Sequence, residues 1–403
     1  MTTPGAPSSP RAALMPPLWM LVLISLSGTL AIHIYVPALP MVGRELGASM
    51  ALMQSTISLY IIGLAVGQLV YGPLADGFGR RPVLLVGLSL FLIASVAAAF
   101  APNAESLIAA RLLQALGGCS GLVLGRVIVR DTSVTQDTVR RLAMINLMTA
   151  MAPACAPLLG ATLAAAAGWR AIFGVLALLG AINLWLTWRR LDETGSPTRE
   201  VRVSRLAGDY RRVLSSGRFV ALAVGGSFAT MSVYAIMVAA PFIFTVELHR
   251  STTEMGFFIM LMMFGMTLGN AITSRLVGKV PLSTLLIRGN LLSLVAAVLF
   301  VALVLTGHLN LIATIVLFGC MTLAVGFCGP GAVTKAISVD PTRTGTASGL
   351  YGAAQMLVGA IATVGAGLGP SPALAAGVVM LAAGLISQGC LRWAIAQEAP
   401  PAP

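Results

Sequence analysis

A chain of 403 residues that is 57% hydrophobic and only 9% charged, with a mean hydropathy of +0.92, is not a soluble globular protein, where roughly a quarter of residues are charged. Its formal charge of +12 does not point to nucleic acid, because the basic residues sit between apolar runs rather than in one patch. Five cysteines without paired spacing, Cys119, Cys155, Cys320, Cys328 and Cys390, suggest neither a disulfide framework nor a metal site, and no cofactor is implied.

The opening residues 1–16 are rich in Pro, Ser and Thr and read as a disordered polar tail, too polar for the core of a signal peptide. Twelve apolar runs follow, near 17–39, 51–71, 83–101, 106–129, 142–166, 171–188, 219–245, 255–274, 284–305, 311–334, 346–368 and 373–393. Runs of about 20 residues cover a ~30 Å hydrocarbon core as helices. Only helices or closed barrels satisfy the backbone there, so the pattern predicts an all-α polytopic membrane protein. With the N-terminus inside, nineteen of the 25 lysines and arginines fall on the cytoplasmic side, three (Arg44, Arg170, Arg250) fall outside, and Arg111, Arg126 and Arg288 lie within spans. That asymmetry predicts a bacterial-type inner-membrane protein with both termini in the cytoplasm.

The long connection 189–218 carries eight arginines against four acids and separates six spans from six. The expected organisation is therefore a six-helix bundle 17–188, a cytoplasmic linker 189–218, a second bundle 219–393 and a tail 394–403. The stretch GQLVYGPLADGFGRRPVLLVG after the second span has a degraded counterpart after the eighth, GNAITSRLVGKVPLSTLLIRG. Such a repeat is what a duplicated transporter predicts, with its substrate site near the midplane between halves.

Five strings carry the chemistry. The first span ends His33-Ile-Tyr35-Val-Pro37-Ala-Leu-Pro40. The turn after the second span reads Gly72-Pro-Leu-Ala-Asp76-Gly-Phe-Gly79-Arg80-Arg81-Pro82. The fourth span holds Arg111-Leu-Leu-Gln114-Ala-Leu-Gly117-Gly118 and ends Arg126-Val-Ile-Val-Arg130-Asp131. The fifth holds Ala152-Pro153-Ala-Cys-Ala156-Pro157-Leu-Leu-Gly160-Ala161, and the eleventh begins Gly345-Thr-Ala-Ser-Gly349-Leu-Tyr-Gly352-Ala-Ala-Gln355. Two prolines four residues apart must disturb helical pairing, so Pro153, Pro157 and Gly160 mark an expected kink.

Together these strings resemble the major facilitator superfamily, and within it the twelve-helix drug:proton antiporters of the bicyclomycin-resistance and chloramphenicol-efflux (Bcr/CflA) type. The resemblance implies two six-helix bundles that alternate between inward- and outward-facing states, exporting small amphipathic molecules with the proton gradient. It implies a cytoplasmic latch at Asp76, Arg80 and Arg81, to which Arg130 and Asp131 are added. The implied partners are a small-molecule substrate, protons and the lipid bilayer, with a monomer expected and no nucleic acid. Relatives of this type export drugs or a cell's own products such as siderophores, and the sequence does not choose between them. A proton-linked importer and a non-transporting receptor or scaffold are the alternatives.

One position departs from the family pattern. Where members carry an aspartate two residues before the tyrosine of the first span, this chain has His33, and all 13 acids lie in loops or at helix ends. His33 and Arg111 lie at a similar depth, roughly 10 Å in by helical rise, and ionisable groups there usually face the bundle interior and mark function. In the resembled fold both helices line the cavity, so the two side chains are expected to meet or to share a ligand. The structural alternative is that His33 donates to a backbone carbonyl. A cationic substrate competing with a proton at His33 would give antiport, whereas an anion on Arg111 would bind together with a proton.

Tyr35, Gln114, Asn146, Met148, Tyr234 and Gln355 complete the proton-coupling or substrate-binding candidates, with Gln68 as a further polar group in a span. Methionines suit promiscuous binding but also ordinary packing. Gly118-Cys119-Ser120-Gly121 matches the serine motif of rhomboid proteases, yet a serine nucleophile needs a base within reach and none is placed for it, so the chain is expected not to be an enzyme. No phosphate-binding loop for ATP-driven transport is present.

Overall fold

A computed structural model describes residues 15–132, 135–195, 203–340, 343–368 and 371–397, leaving aside the side chains of 135–140, 143, 146, 147, 150, 203–207, 344 and 345. Most of the expected tail 1–16, the middle of the linker and the last residues of the C-terminal tail lie outside these.

The first apolar run does not form one helix. α1 (Leu18–His33) stops at His33, a 3₁₀ turn spans Val36–Ala38, and α2 (Leu39–Glu45) follows. Pro37 and Pro40 lie at the first positions of these two elements, where a missing N–H costs nothing and a continuing helix would lose its ladder. α3 (Met50–Phe78), α4 (Arg80–Ala99), α5 (Ala104–Thr132), α6 (Thr135–Ala167) and α7 (Arg170–Arg190) complete the first half. The second half holds α9 (Gly217–Phe242), α10 (Thr252–Leu276), α11 (Leu282–Leu305), α12 (Leu311–Ile337), α13 (Thr344–Ala366) and α14 (Pro372–Ala396). Among the described residues eleven of these segments are long and apolar enough to cross a membrane, and α6 adds the shorter apolar stretch Met151–Ala167.

Packing repeats between the halves. α5 lies against α1, α3 and α4, and α12 likewise lies against α9, α10 and α11. α4 packs on α7 as α11 packs on α14. Across the halves, α3 meets α13 and α6 meets α10, the two contacts that a two-fold operation exchanges. This is the major facilitator architecture of two six-helix bundles.

Three local features position the site. The α3–α4 turn is a single residue, Gly79, at φ +98°, a conformation that only glycine adopts without strain. α6 runs on through Pro153 and Pro157 to Ala167. Its function here is close packing: a Cβ at Gly160 would lie 1.8 Å from the Ile34 carbonyl oxygen, so the glycine admits the broken end of the first span. The linker is not all loop. α8 (Val203–Leu214) forms within it, favoured by apolar residues at 203, 206, 210 and 213 among the arginines.

α8 is tied to both halves. Tyr210 donates to the Leu69 carbonyl at 3.4 Å, and Arg343 donates through Nε to Asp209 at 2.9 Å. The Asp209 hydrogen bond, seconded by Asp340, holds Arg343 above its ordinary value and so firmly charged. At the opposite end of the bundle the Val36–Ala38 turn touches α6, α9 and α10, Ser58 and Thr363 share a hydrogen bond of 2.6 Å, and Glu45 pairs with Arg170 and accepts from Trp169.

Candidate functional site

Arg111 is fully buried on α5. Its Nη1 donates to the Ala31 carbonyl at 3.0 Å and to Gln114 Oε1 at 2.7 Å, and Gln114 passes the chain on by donating to Ser95 Oγ at 2.8 Å. Three rings surround the guanidinium carbon: Tyr60 at 4.0 Å, Tyr35 at 4.8 Å and Phe173 at 5.9 Å to their centroids. Aromatic faces are negative at their centres, so this cage stabilises a buried cation without a carboxylate. Among the described residues, Nε and Nη2 of Arg111 have no hydrogen-bond partner.

His33 is 8% exposed at the last turn of α1, two residues beyond the carbonyl that Arg111 holds. Among the described residues its ring makes no hydrogen bond, neither to a backbone carbonyl nor to Arg111. The ring cage turns Arg111 into the first half, toward Tyr35, α3 and α7. Sequence alone did not show this, since Tyr35, Tyr60 and Phe173 come from three separate helices.

In the second half Gln355 donates to Thr230 Oγ1 at 2.9 Å, and Tyr234 donates to the Met356 sulfur at 3.6 Å. Tyr234 and Gln355 are half-buried, as is Met148 on α6, while the side chain of Asn146 lies outside those described. Gln68 sits where α3 meets α13, its amide oxygen beside Gly352. These groups lie on different helices, and among the described residues no hydrogen bond links them to His33. Ser120 donates to the Gly117 carbonyl at 2.7 Å and abuts Gly87, so the protease-like string packs α5 on α4.

The Gly79 turn holds a compact ion network. Arg80 pairs with Asp76 at 2.8 Å and, from the neighbouring α5, with Asp131 at 3.0 Å. Arg81 donates to the Trp188 carbonyl at 2.8 Å, while Arg130 is exposed. Sequence reasoning missed Glu193, whose carboxylate accepts the backbone N–H groups of Arg80 at 2.8 Å and Arg81 at 3.2 Å. An acid at a helix N-terminus satisfies orphan donors and complements the dipole. The signal was an acid just past the end of the sixth span, but nothing in its spacing showed which helix it would cap.

A bundle of two repeated six-helix halves, with ionisable and amide side chains buried at membrane depth, defines a multi-pass membrane transporter. The chain belongs to the Major Facilitator Superfamily, whose family model matches residues 21–363. It is 30% identical over 384 residues to "Uncharacterized MFS-type transporter YdgK" of Bacillus subtilis, covering 91% of this chain and 92% of that one. It is 28% identical to "Multidrug transporter MdfA" of Yersinia pestis over 86% of this chain and 85% of the relative. With "Bicyclomycin resistance protein homolog" of Haemophilus influenzae it shares 25% identity over 84% and 85%. Among solved structures, a bacterial homologue of the human lysosomal transporter Spinster, inward-facing and unoccupied, superposes with a TM-score of 0.74 at 16% identity, covering 96% of this chain and 98% of that chain. A D-xylose–proton symporter superposes with 0.72 at 14% identity, covering 92% and 96%. The family's proteins are transporters and not enzymes.

Proposed function

We propose that this chain exports small amphipathic molecules, drugs or an endogenous product such as a siderophore, across the inner membrane by proton-driven alternating access. The named relatives support efflux. The observation that carries the proton coupling is His33, a nearly buried imidazole at the break in the first span, without a hydrogen-bond partner among the described residues. It is the one group at membrane depth whose ordinary titration range lies near neutrality. In this reading the halves 17–188 and 219–393 rock about the linker, the Arg80 network faces the cytoplasm with both termini, and the transporter works as a monomer. Protonation of His33 then biases which side the cavity opens to. Asp76, Arg80, Arg81, Arg130 and Asp131 latch the cytoplasmic side.

The test is accumulation of a fluorescent dye in cells lacking their own efflux pumps, with and without a protonophore, for wild type, His33→Ala and His33→Asp. Expected is wild-type export that collapses with the protonophore and loses its pH dependence in His33→Ala. Unchanged rate and pH profile in both variants would sink the role of His33. Inward flux would replace export with import, and no flux of any kind would leave a receptor or scaffold.

A further inference from the structure

We infer that Arg126 supplies the cavity with a fixed positive contact, so that the chain selects amphiphiles bearing an anionic group such as a carboxylate, sulfonate or phosphate ester. This rests on the transporter reading above and names the substrate class for it.

The direction of Arg126 follows from how α5 packs. Gly117 lies against the backbone of Gly87 and Phe91 on α4. Gly121 and Gly125 meet Ile24 and Ser25 of α1, and Cys119 donates to the Leu64 carbonyl of α3 at 3.3 Å. Arg126 is nine residues beyond Gly117, which at about 100° per residue is half a revolution around the helix. It therefore points away from α4, about 20° from Cys119 on the α3 side of α5, next to the gap that α1 and α3, which scarcely touch each other, leave open. It lies six residues inside the end of α5 at Thr132, roughly 9 Å along the axis.

At that place Arg126 is exposed and has no hydrogen-bond or ion-pair partner among the described residues. Asp131, the nearest acid in the chain, is engaged by Arg80. Arg111, the other arginine of α5 at depth, is fully enclosed by its rings and offers nothing to a solute. In the second half, α9 from 219 to 242 and α12 from 311 to 334 carry no charged residue that would offset the guanidinium. A cation left open among apolar helices is costly and does not hold the fold together. Its planar donors match a carboxylate, sulfonate or phosphate through paired hydrogen bonds.

The test uses purified protein in nanodiscs of phosphatidylcholine alone, so that no anionic headgroup competes. Two fluorescent probes share one skeleton: 1-anilinonaphthalene-8-sulfonate carries a sulfonate, and N-phenyl-1-naphthylamine does not. Arg126→Gln is expected to weaken the sulfonate by about tenfold, as for loss of a hydrogen bond to a charged group, while the neutral probe stays within about twofold. Arg126→Lys should retain most of the sulfonate affinity. Sulfonate binding unchanged in Arg126→Gln overturns the inference. Should that variant fail to fold, wild type decides: it must bind the sulfonate at least about tenfold more tightly than a trimethylammonium analogue of the same skeleton, and equal binding overturns the inference. Equilibrium binding is independent of flux, so a failure here leaves the export assay to judge the transport reading separately.

Discussion

The two halves share a packing plan and differ in what they place at membrane depth. α5 of the first half buries Arg111 in a ring cage and leaves Arg126 open, and His33 stands at the end of α1. α12 of the second half carries glycines, a proline and, from 311 to 334, no charge, and its neighbours contribute Tyr234, Gln355 and the methionines of α10. The turns differ in the same sense. Gly79 is flanked by Asp76, Arg80, Asp131 and Glu193, whereas the counterpart turn at Gly278 is joined by the Val277–Val280 bridge, with Arg275 and Lys279 exposed. Helix packing needs only shape and small residues, so both copies keep it. Charges at depth are costly and persist where one wall has work for them.

This comparison can be broken in three places. The largest effect is expected at the glycines that admit a neighbouring element. Gly160→Ala sets a Cβ against a backbone carbonyl 1.8 Å away and should destabilise the protein by about 1–3 kcal/mol, read as a lowered melting temperature in detergent. In Gly352→Ala the clash is with the flexible tip of Gln68, and a much smaller loss is expected. An intermediate effect is expected at the turns: Arg80→Ala removes both ion pairs and should cost about 1 kcal/mol, lower transport and leave folding intact, while Lys279→Ala should change neither. Equal loss in the two turns would show that the second is also a latch. The smallest effect is expected for Tyr234→Phe, which removes only a 3.6 Å contact to sulfur. Transport within about twofold of wild type would sharpen the contrast, and a large loss would show that the second wall also does chemistry.

Much of the scaffold was legible because the signals are local. Runs of about 20 apolar residues mark the spans, and an acid near two arginines around a glycine turn marks Asp76, Arg80 and Arg81. Pro153 and Pro157 do not end α6, which continues past both. The break at His33 was foreshadowed by Pro37 and Pro40, yet hydropathy alone reads across it, since both pieces are equally apolar. What escaped depends on helix rotation. Arg111 turns inward because three rings from α1, α3 and α7 converge on it, and no spacing within one helix encodes that convergence. Glu193 was hidden for the same reason, its partners lying more than a hundred residues earlier.

The ring cage has one more consequence. A carboxylate set beside Arg111 would be a counterion that acid can erase, and the arginine's surroundings would change each time a proton arrived. The π faces of Tyr35, Tyr60 and Phe173 give their attraction without a site for a proton, so the charge they enclose is balanced alike on both sides of a pH gradient. In the export reading proposed above, the first half thereby separates two duties that a buried acid would combine: a constant electrostatic anchor at Arg111, and an adjustable group at His33.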